Sequence, residues 1–429
     1  MRAASFVHRY ADAYISQDSL ERHRVQADHN RKFIAACDMV ESGTGELFPL
    51  EKAAAANVSN PAIRIAEFMV RVKGFEAIAR KAGHAALFFT LTAPSAYHRT
   101  NNNGEPNSRY EGFRVADAQA WLRKMWAKAR AKLKRLSILY YGFRVAEAHH
   151  DATPHWHLLL FVPHAHLEQL VNVIRGYWLS ARADEPGAAT HRAKCLEIDL
   201  ERIGKDGRRC GAIGYIAKYI AKAVDGRHLT TDDPEESSLS GEEASERVVA
   251  WARVHGIRQF QQLGGPSVTL WREFRRLREA HPDEQFERIR AAVDAGEFAE
   301  FIELLGGIEQ GRSPFFKVVN EREVDPGIWS LIDYTSREAD LPVKAARIVG
   351  IRAVLRDGVT IVKTRTREWV RVLARSFSAA LRSASSLGPV EITVREARSQ
   401  YIEPHEPERD YSWIATVPFR RATFKEAPA

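Results

Sequence analysis

Two pairs of residues in this chain have types and spacings that could do chemistry. His155 and His157 stand two apart in Thr153-Pro154-His155-Trp156-His157-Leu158-Leu159-Leu160-Phe161-Val162, a run that reads as a buried strand. Residues i and i+2 of a strand project to one face, so the two imidazoles can meet on a single metal ion. Tyr215 and Tyr219 stand four apart in Gly211-Ala212-Ile213-Gly214-Tyr215-Ile216-Ala217-Lys218-Tyr219-Ile220-Ala221-Lys222, which reads as a helix. At about 100° per residue Tyr215, Lys218, Tyr219 and Lys222 share an arc of about 100°, with Ile216 and Ile220 turned to the core beside it. A phenol titrates near pH 10 in water, and nearby cations favour the phenolate. Attack by such an oxygen on a metal-polarised phosphodiester would leave a phosphotyrosine ester, which a freed 3′-hydroxyl can later displace. The combination suggests a metal-assisted tyrosine nuclease acting on DNA.

Two histidines rarely complete a ligand set for a phosphoryl-transfer metal, so a third ligand is expected on the neighbouring strand. In a hairpin over 137–162, Glu147 pairs opposite His155 or His157 and its carboxylate falls on their face. His149 is in phase with Glu147 and is the alternative; His150 is out of phase, and Asp151 falls in the turn. Two nitrogens and one carboxylate leave positions for water and a phosphate oxygen, which suits Mg²⁺ or Mn²⁺.

The elements that must position these groups follow from periodicity. Leu87-Phe88-Phe89-Thr90-Leu91-Thr92-Ala93 reads as a strand with Thr90 and Thr92 on one side. A helix over 116–135 carries Leu122, Met125, Trp126, Ala129 and Leu133 at helical spacing. Its remaining surface holds Arg123, Lys124, Lys128 and Lys132 with no acid after Asp117, a face fit for phosphate contact. A strand 137–148, the histidine strand, a helix 167–181, a strand 194–200 and the tyrosine helix 211–223 follow. The order β-α-β-β-α-β is the ferredoxin-like, split-βαβ pattern of an α+β protein, an antiparallel sheet with helices on one face and the other left for ligand. Residues 257–263 add a candidate fifth strand. A Gly264-Gly265-Pro266-Ser267 turn then enters a helix whose Arg272 and Arg275 could meet phosphate.

The flanks carry less. Residues 1–80 read as helical with no convincing alternation, Asp225 to Glu246 as a mobile acidic loop, and 284–305 as a helix. Two strands, 346–355 and 359–366, join at Asp357-Gly358; a helix over 367–382 and a poorly ordered tail after Ile402 follow. The expected division is a helical region 1–84, a catalytic domain 85–280 and a small α/β accessory region 281–429.

Composition fits this picture. Of 429 residues 45% are hydrophobic, enough for a substantial core, and Lys plus Arg exceed Asp plus Glu by 63 to 55, a net charge of +8 that favours a polyanionic partner. Three scattered cysteines, Cys37, Cys195 and Cys210, make neither a disulfide framework nor a Cys-x-x-Cys zinc site. With no apolar run long enough for a signal sequence or a bilayer span, the expectation is a soluble cytoplasmic protein without a membrane partner.

Taken together, the motifs resemble those of the HUH-type rolling-circle initiators, specifically the bacteriophage replication gene A protein family. The resemblance rests on Phe88-Phe89-Thr90-Leu91-Thr92-Ala93-Pro94-Ser95, on Tyr141-Gly142-Phe143-Arg144-Val145-Ala146-Glu147 running to His155-Trp156-His157, and on Gly214-Tyr215-Ile216-Ala217-Lys218-Tyr219-Ile220-Ala221-Lys222. Gly256-Ile257-Arg258-Gln259-Phe260-Gln261, Gly264-Gly265-Pro266 and Val268-Thr269-Leu270-Trp271-Arg272-Glu273 complete it across about 85–280. It implies an HUH endonuclease core that nicks one strand of single-stranded or supercoiled origin DNA and stays on its 5′ end. Host replicative helicase and polymerase would extend the 3′-hydroxyl in rolling-circle replication. By motif position His155 and His157 would hold the metal and Tyr215 and Tyr219 would be the nucleophiles. A plasmid initiator or a two-tyrosine transposase would share these motifs. A non-catalytic ferredoxin-like nucleic-acid-binding protein is a rival of another class, but it would show stacking aromatics where this strand shows His155 and His157.

Overall fold

The computed structural model describes residues 7–203, 211–222, 239, 241–311, 313–321 and 347–373. In chain order the elements begin with α1 (Gln17–Ala35), β1 (Cys37–Glu41), β2 (Leu47–Pro49), α2 (Leu50–Ala55) and α3 (Pro61–Ala82). Then come β3 (His84–Leu91), α4 (Val115–Arg135), β4 (Tyr141–Ala148), β5 (Pro154–Pro163), α5 (Leu167–Trp178), α6 (Ala188–His191) and β6 (Ala193–Ile198). They continue with α7 (Gly211–Lys222), α8 (Gly241–Val254), β7 (Phe260–Leu263), α9 (Val268–Phe274), α10 (Glu284–Ala295) and α11 (Phe298–Leu304). Last are β8 (Phe316–Glu321), β9 (Arg347–Leu355), β10 (Gly358–Lys363) and β11 (Trp369–Leu373). The fold is α+β, with antiparallel strand pairs throughout.

The chain forms two compact units. The first comprises 1–27, 65–265 and 297–311, and the second 28–64, 266–296 and 312–429. The first is built on a five-stranded sheet in the order β6-β3-β5-β4-β7. Because side chains alternate along each strand, one face presents Leu87, Phe89, Leu91, Ala146, Trp156, Leu158 and Leu160. These join Leu122, Met125, Trp126 and Ala129 of α4, Leu170, Ile174 and Trp178 of α5, and Val248 and Trp251 of α8 in one buried cluster. The opposite face carries Glu147, His155 and His157 at one end and Tyr141, Phe143 and Phe161 farther along. It is not left open, as the split-βαβ pattern suggested. Phe75 of α3 packs against Tyr141 and Phe143 at 5.1 and 5.2 Å between ring centroids, and Phe68 lies 4.8 Å from Phe143. The N-terminal region therefore contributes a layer to this sheet, which burial of its own aromatic stripe requires.

Gly142 on β4 has no room for a side chain. A Cβ there would lie 1.9 Å from the Leu159 carbonyl oxygen, at a backbone φ of +150°. The obstacle is main chain of a central strand and cannot swing aside. Gly142→Ala is expected to cost about 3 kcal/mol. Urea unfolding would register this as a lower midpoint at unchanged slope.

Several local expectations need correction. Residues 1–80 are not wholly helical: β1, with Cys37, Met39 and Glu41 buried, pairs with β11 and β2 in a three-stranded sheet. For the same reason 369–373 is strand rather than the start of a helix 367–382; residues 374–382 lie outside the described residues. Residues 241–246 open α8 instead of ending a loop. Glu242 and Glu243 sit in its first turn, where the helix dipole favours acids, and Trp251 on its inner face donates to the Ala152 carbonyl at 3.0 Å. Most of the acidic stretch before Gly241, and the tail after Ile402, lie outside the described residues. The single helix over 284–305 is two, α10 and α11, parted at Gly296 with φ +83°. Strand β8, which follows, completes a sheet in the order β10-β9-β8. The fifth strand over 257–263 is present as β7 on the edge of β4.

Candidate active site

The β4–β5 hairpin sets the geometry. Glu147 pairs opposite His155, and His157 lies between Val145 of β4 and Thr90 of β3. The turn is held by hydrogen bonds from the His149 N–H to the Thr153 carbonyl and from the Ala152 N–H to the His149 carbonyl, both 2.8 Å. Asp151 lies in that turn, as expected. Its carboxylate accepts from the Thr153 N–H and hydroxyl and from the Arg99 N–H at 2.8–2.9 Å.

Across the pairing, His155 Nε2 and His157 Nε2 approach to 2.9 Å, and Glu147 Oε2 stands 3.6 and 3.4 Å from them. All three residues are buried, and among the described residues they are the group of three that could hold a metal ion. Donors about 2.1 Å from a common ion stand about 3.0 Å apart at an octahedral right angle and about 3.4 Å apart in a tetrahedron. The observed separations, 2.9–3.6 Å, lie close to those edges. The donor set, two imidazoles and a carboxylate converging from adjacent strands, therefore fits a divalent cation.

The surroundings prepare the ligands. Thr90 Oγ1 lies 3.2 Å from His157 Nδ1; a proton held on that nitrogen leaves the Nε2 lone pair facing the cluster. Phe88, two residues earlier on β3, stacks on the His157 ring at 5.4 Å and 20°. His149 lies with its ring centroid 4.1 Å from that of His155, outside the three-residue group. Burial, with the neighbouring His98, pushes the His149 imidazole down to about 3, so it adds no positive charge beside the cluster at neutral pH.

Helix α7 comes to this end of the sheet through Tyr215. Its ring is half-buried and centred 5.9 Å from Phe88, so one phenyl ring touches both the histidine and the tyrosine. Ile216 is buried, as its place on the wheel required. The side chains of Lys218, Tyr219 and Lys222 lie outside the described residues. Of the residues expected at DNA, Thr90 sits at the cluster, and Thr92 is half-buried just beyond the end of β3. Arg123, Lys124, Lys128 and Lys132 are exposed on α4, which packs on the sheet face away from the histidines. Arg272 and Arg275 belong to the second unit, where the Arg275 guanidinium lies 6.0 Å from the Trp271 ring centroid. Phe88 escaped the sequence reading, although its i−2 relation to Thr90 puts it on the same face.

Fold and site define an α+β protein organised around a buried two-histidine, one-carboxylate cluster beside a tyrosine-bearing helix. The model of the bacteriophage replication gene A protein (GPA) family matches residues 1–227, and the chain belongs to that family. It is 38% identical over 302 residues to the replication gene A protein of Escherichia phage 186, covering 69% of this chain and 42% of that one. To the replication gene A protein of Escherichia phage P2 it is 32% identical over 390 residues, 86% of this chain and 47% of that one. A probable replication endonuclease from a prophage-like region of Salmonella paratyphi A is 33% identical over 322 residues, 72% of this chain and 39% of the relative. The chain thus spans less than half the length of these relatives. No solved structure matches it. None of its described helices is long and apolar enough to cross a membrane.

Proposed function

We propose that this chain is a site- and strand-specific nicking-joining endonuclease that initiates rolling-circle replication of phage DNA through a 5′-phosphotyrosine intermediate. The observation that carries this reading is the convergence of Glu147, His155 and His157 within 4.8 Å, with Tyr215 linked to His157 through Phe88. The names of the relatives, replication proteins and replication endonucleases, supply the biological setting. In this reading the five-stranded sheet is an HUH-type, ferredoxin-like core, and residues 85–280 form the nicking domain.

Glu147, His155 and His157 would hold Mg²⁺ or Mn²⁺. The bound cation would polarise the scissile phosphate and offset charge developing on it. Thr90 orients His157, and Phe88 keeps Tyr215 beside the site while excluding water from the imidazole face. The Tyr215 phenolic oxygen bonds to phosphorus as the bond from phosphorus to the 3′ oxygen breaks. The phenolic proton is lost and the departing oxygen gains one, so a phosphodiester is exchanged for a phosphotyrosine diester and a 3′-hydroxyl with no other reactant. The reverse reaction rejoins the strand, and Tyr219, one turn along α7, serves a second cleavage. Lys218 and Lys222 on the same arc would lower the cost of the phenolates. The exposed cations of α4 would contact the phosphate backbone, and Arg272 and Arg275 of the second unit are proposed as further phosphate contacts. The setting is the bacterial cytoplasm, with host helicase and polymerase as partners.

Incubation with single-stranded origin DNA and Mn²⁺ is expected to yield an adduct that survives SDS, and EDTA should lower its yield roughly 100-fold or more. Cleavage that persists undiminished in EDTA would sink this reading.

A further inference from the structure

We propose that Glu76 of α3 is a positioning residue that anchors the N-terminus of α7 and so sets where Tyr215 stands over the metal cluster. The inference rests on Tyr215 being the nucleophile, as read above.

Helix starts leave backbone N–H groups with no partner inside the helix, and their combined dipole favours an anion there. At α7 that anion comes from an element more than 130 residues earlier in the chain. Glu76, only 2% exposed, accepts from the Ile213 N–H at 2.9 Å. Its other oxygen lies 2.7 Å from an Arg80 guanidinium nitrogen, and Arg80 in turn donates from Nε to the Leu200 carbonyl at 3.2 Å. Residue 211 is glycine where a Cβ would come within 2.5 Å of the Glu76 carboxylate and 3.0 Å of Arg80. Backbone and carboxylate thus meet with no room for a side chain between them.

The same stretch of α3 is fixed to the sheet, since Phe75 packs on Tyr141 and Phe143. A closed path results: the sheet holds Phe75, its neighbour Glu76 holds the first turn of α7, and two residues on Tyr215 returns to the sheet at Phe88. An ordinary cap would use a side chain local to its own helix. Here the capping group belongs to the layer that covers the catalytic face, so helix height above the histidines is set from outside the helix. Misplacement of a reacting atom by about 1 Å can cost on the order of 100-fold in rate.

The test compares Glu76→Ala and Glu76→Gln with the unaltered chain in three measurements: amide hydrogen exchange across 211–216, Mn²⁺ affinity, and the single-turnover rate of covalent capture of single-stranded origin DNA. Glu76→Ala should speed exchange at Ile213, leave Mn²⁺ affinity unchanged, and slow capture about 30-fold. Glu76→Gln, which keeps an acceptor oxygen and is the less disruptive change, should fall between. Capture at the unaltered rate by folded Glu76→Ala would overturn the positioning role, as would Mn²⁺ affinity falling in step with capture. Unchanged exchange would overturn the anchor itself. Faster exchange in the variants, with no capture even by the unaltered chain, would support the anchor while sinking the reading of Tyr215 as nucleophile.

Discussion

Replacing both tyrosines, Tyr215→Phe with Tyr219→Phe, is expected to lower covalent capture of origin DNA by on the order of 10³-fold or more, to background. The change removes two oxygens and nothing else. The phenylalanine ring at 215 keeps its contact with Phe88, so the helix should dock as before and DNA affinity should hold within a few-fold. Each single variant then separates the roles. The one that abolishes the first cleavage identifies the initiating nucleophile, and the one that cuts once but cannot repeat identifies its partner. Capture by the double variant at the unaltered rate would place the nucleophile elsewhere.

His157→Ala is expected to lower Mn²⁺ affinity and nicking together, each by roughly 10³-fold, measured by metal titration and by cleavage of a labelled strand. His157 is the best-connected member of the cluster. It faces His155 at 2.9 Å and Glu147 at 3.4 Å, meets Thr90 through its other nitrogen, and lies under Phe88. Its loss leaves one imidazole and one carboxylate, too few donors to hold a hard cation against water. Nicking that fell while metal affinity held would assign His157 to the substrate instead of the ion.

The cluster was legible in the sequence because it obeys a local rule. Strand period places His155 and His157 together, and hairpin phase brings Glu147 to them across a short turn. On α7 the buried Ile216 and half-buried Tyr215 stand as the wheel placed them, while the side chains of Lys218, Tyr219, Ile220 and Lys222 lie outside the described residues. What could not be read depends on partners distant in sequence. β1 is a five-residue strand whose local mate, β2, is only three residues long and whose longer mate, β11, lies more than 300 residues away, and none of the three carries enough alternation to declare itself. Glu76 sits on a helix whose apolar stripe reads only as a packing face, and no spacing rule links it to Ile213. The basic surface of α4 was evident from its charges, but the side of the sheet it occupies is decided by where Leu122, Trp126 and Ala129 find their core.

The most direct measurement is of the bond itself. The SDS-resistant adduct formed with single-stranded origin DNA and Mn²⁺ would be digested by nuclease and protease, and the modified peptide mapped by mass spectrometry. A nucleotide 5′-phosphate on Tyr215 or Tyr219, within the peptide spanning α7, is the expected result. Phosphate on any other side chain, or cleaved DNA with no covalently modified peptide, would contradict the proposal that α7 supplies the nucleophile for a metal site on β4 and β5.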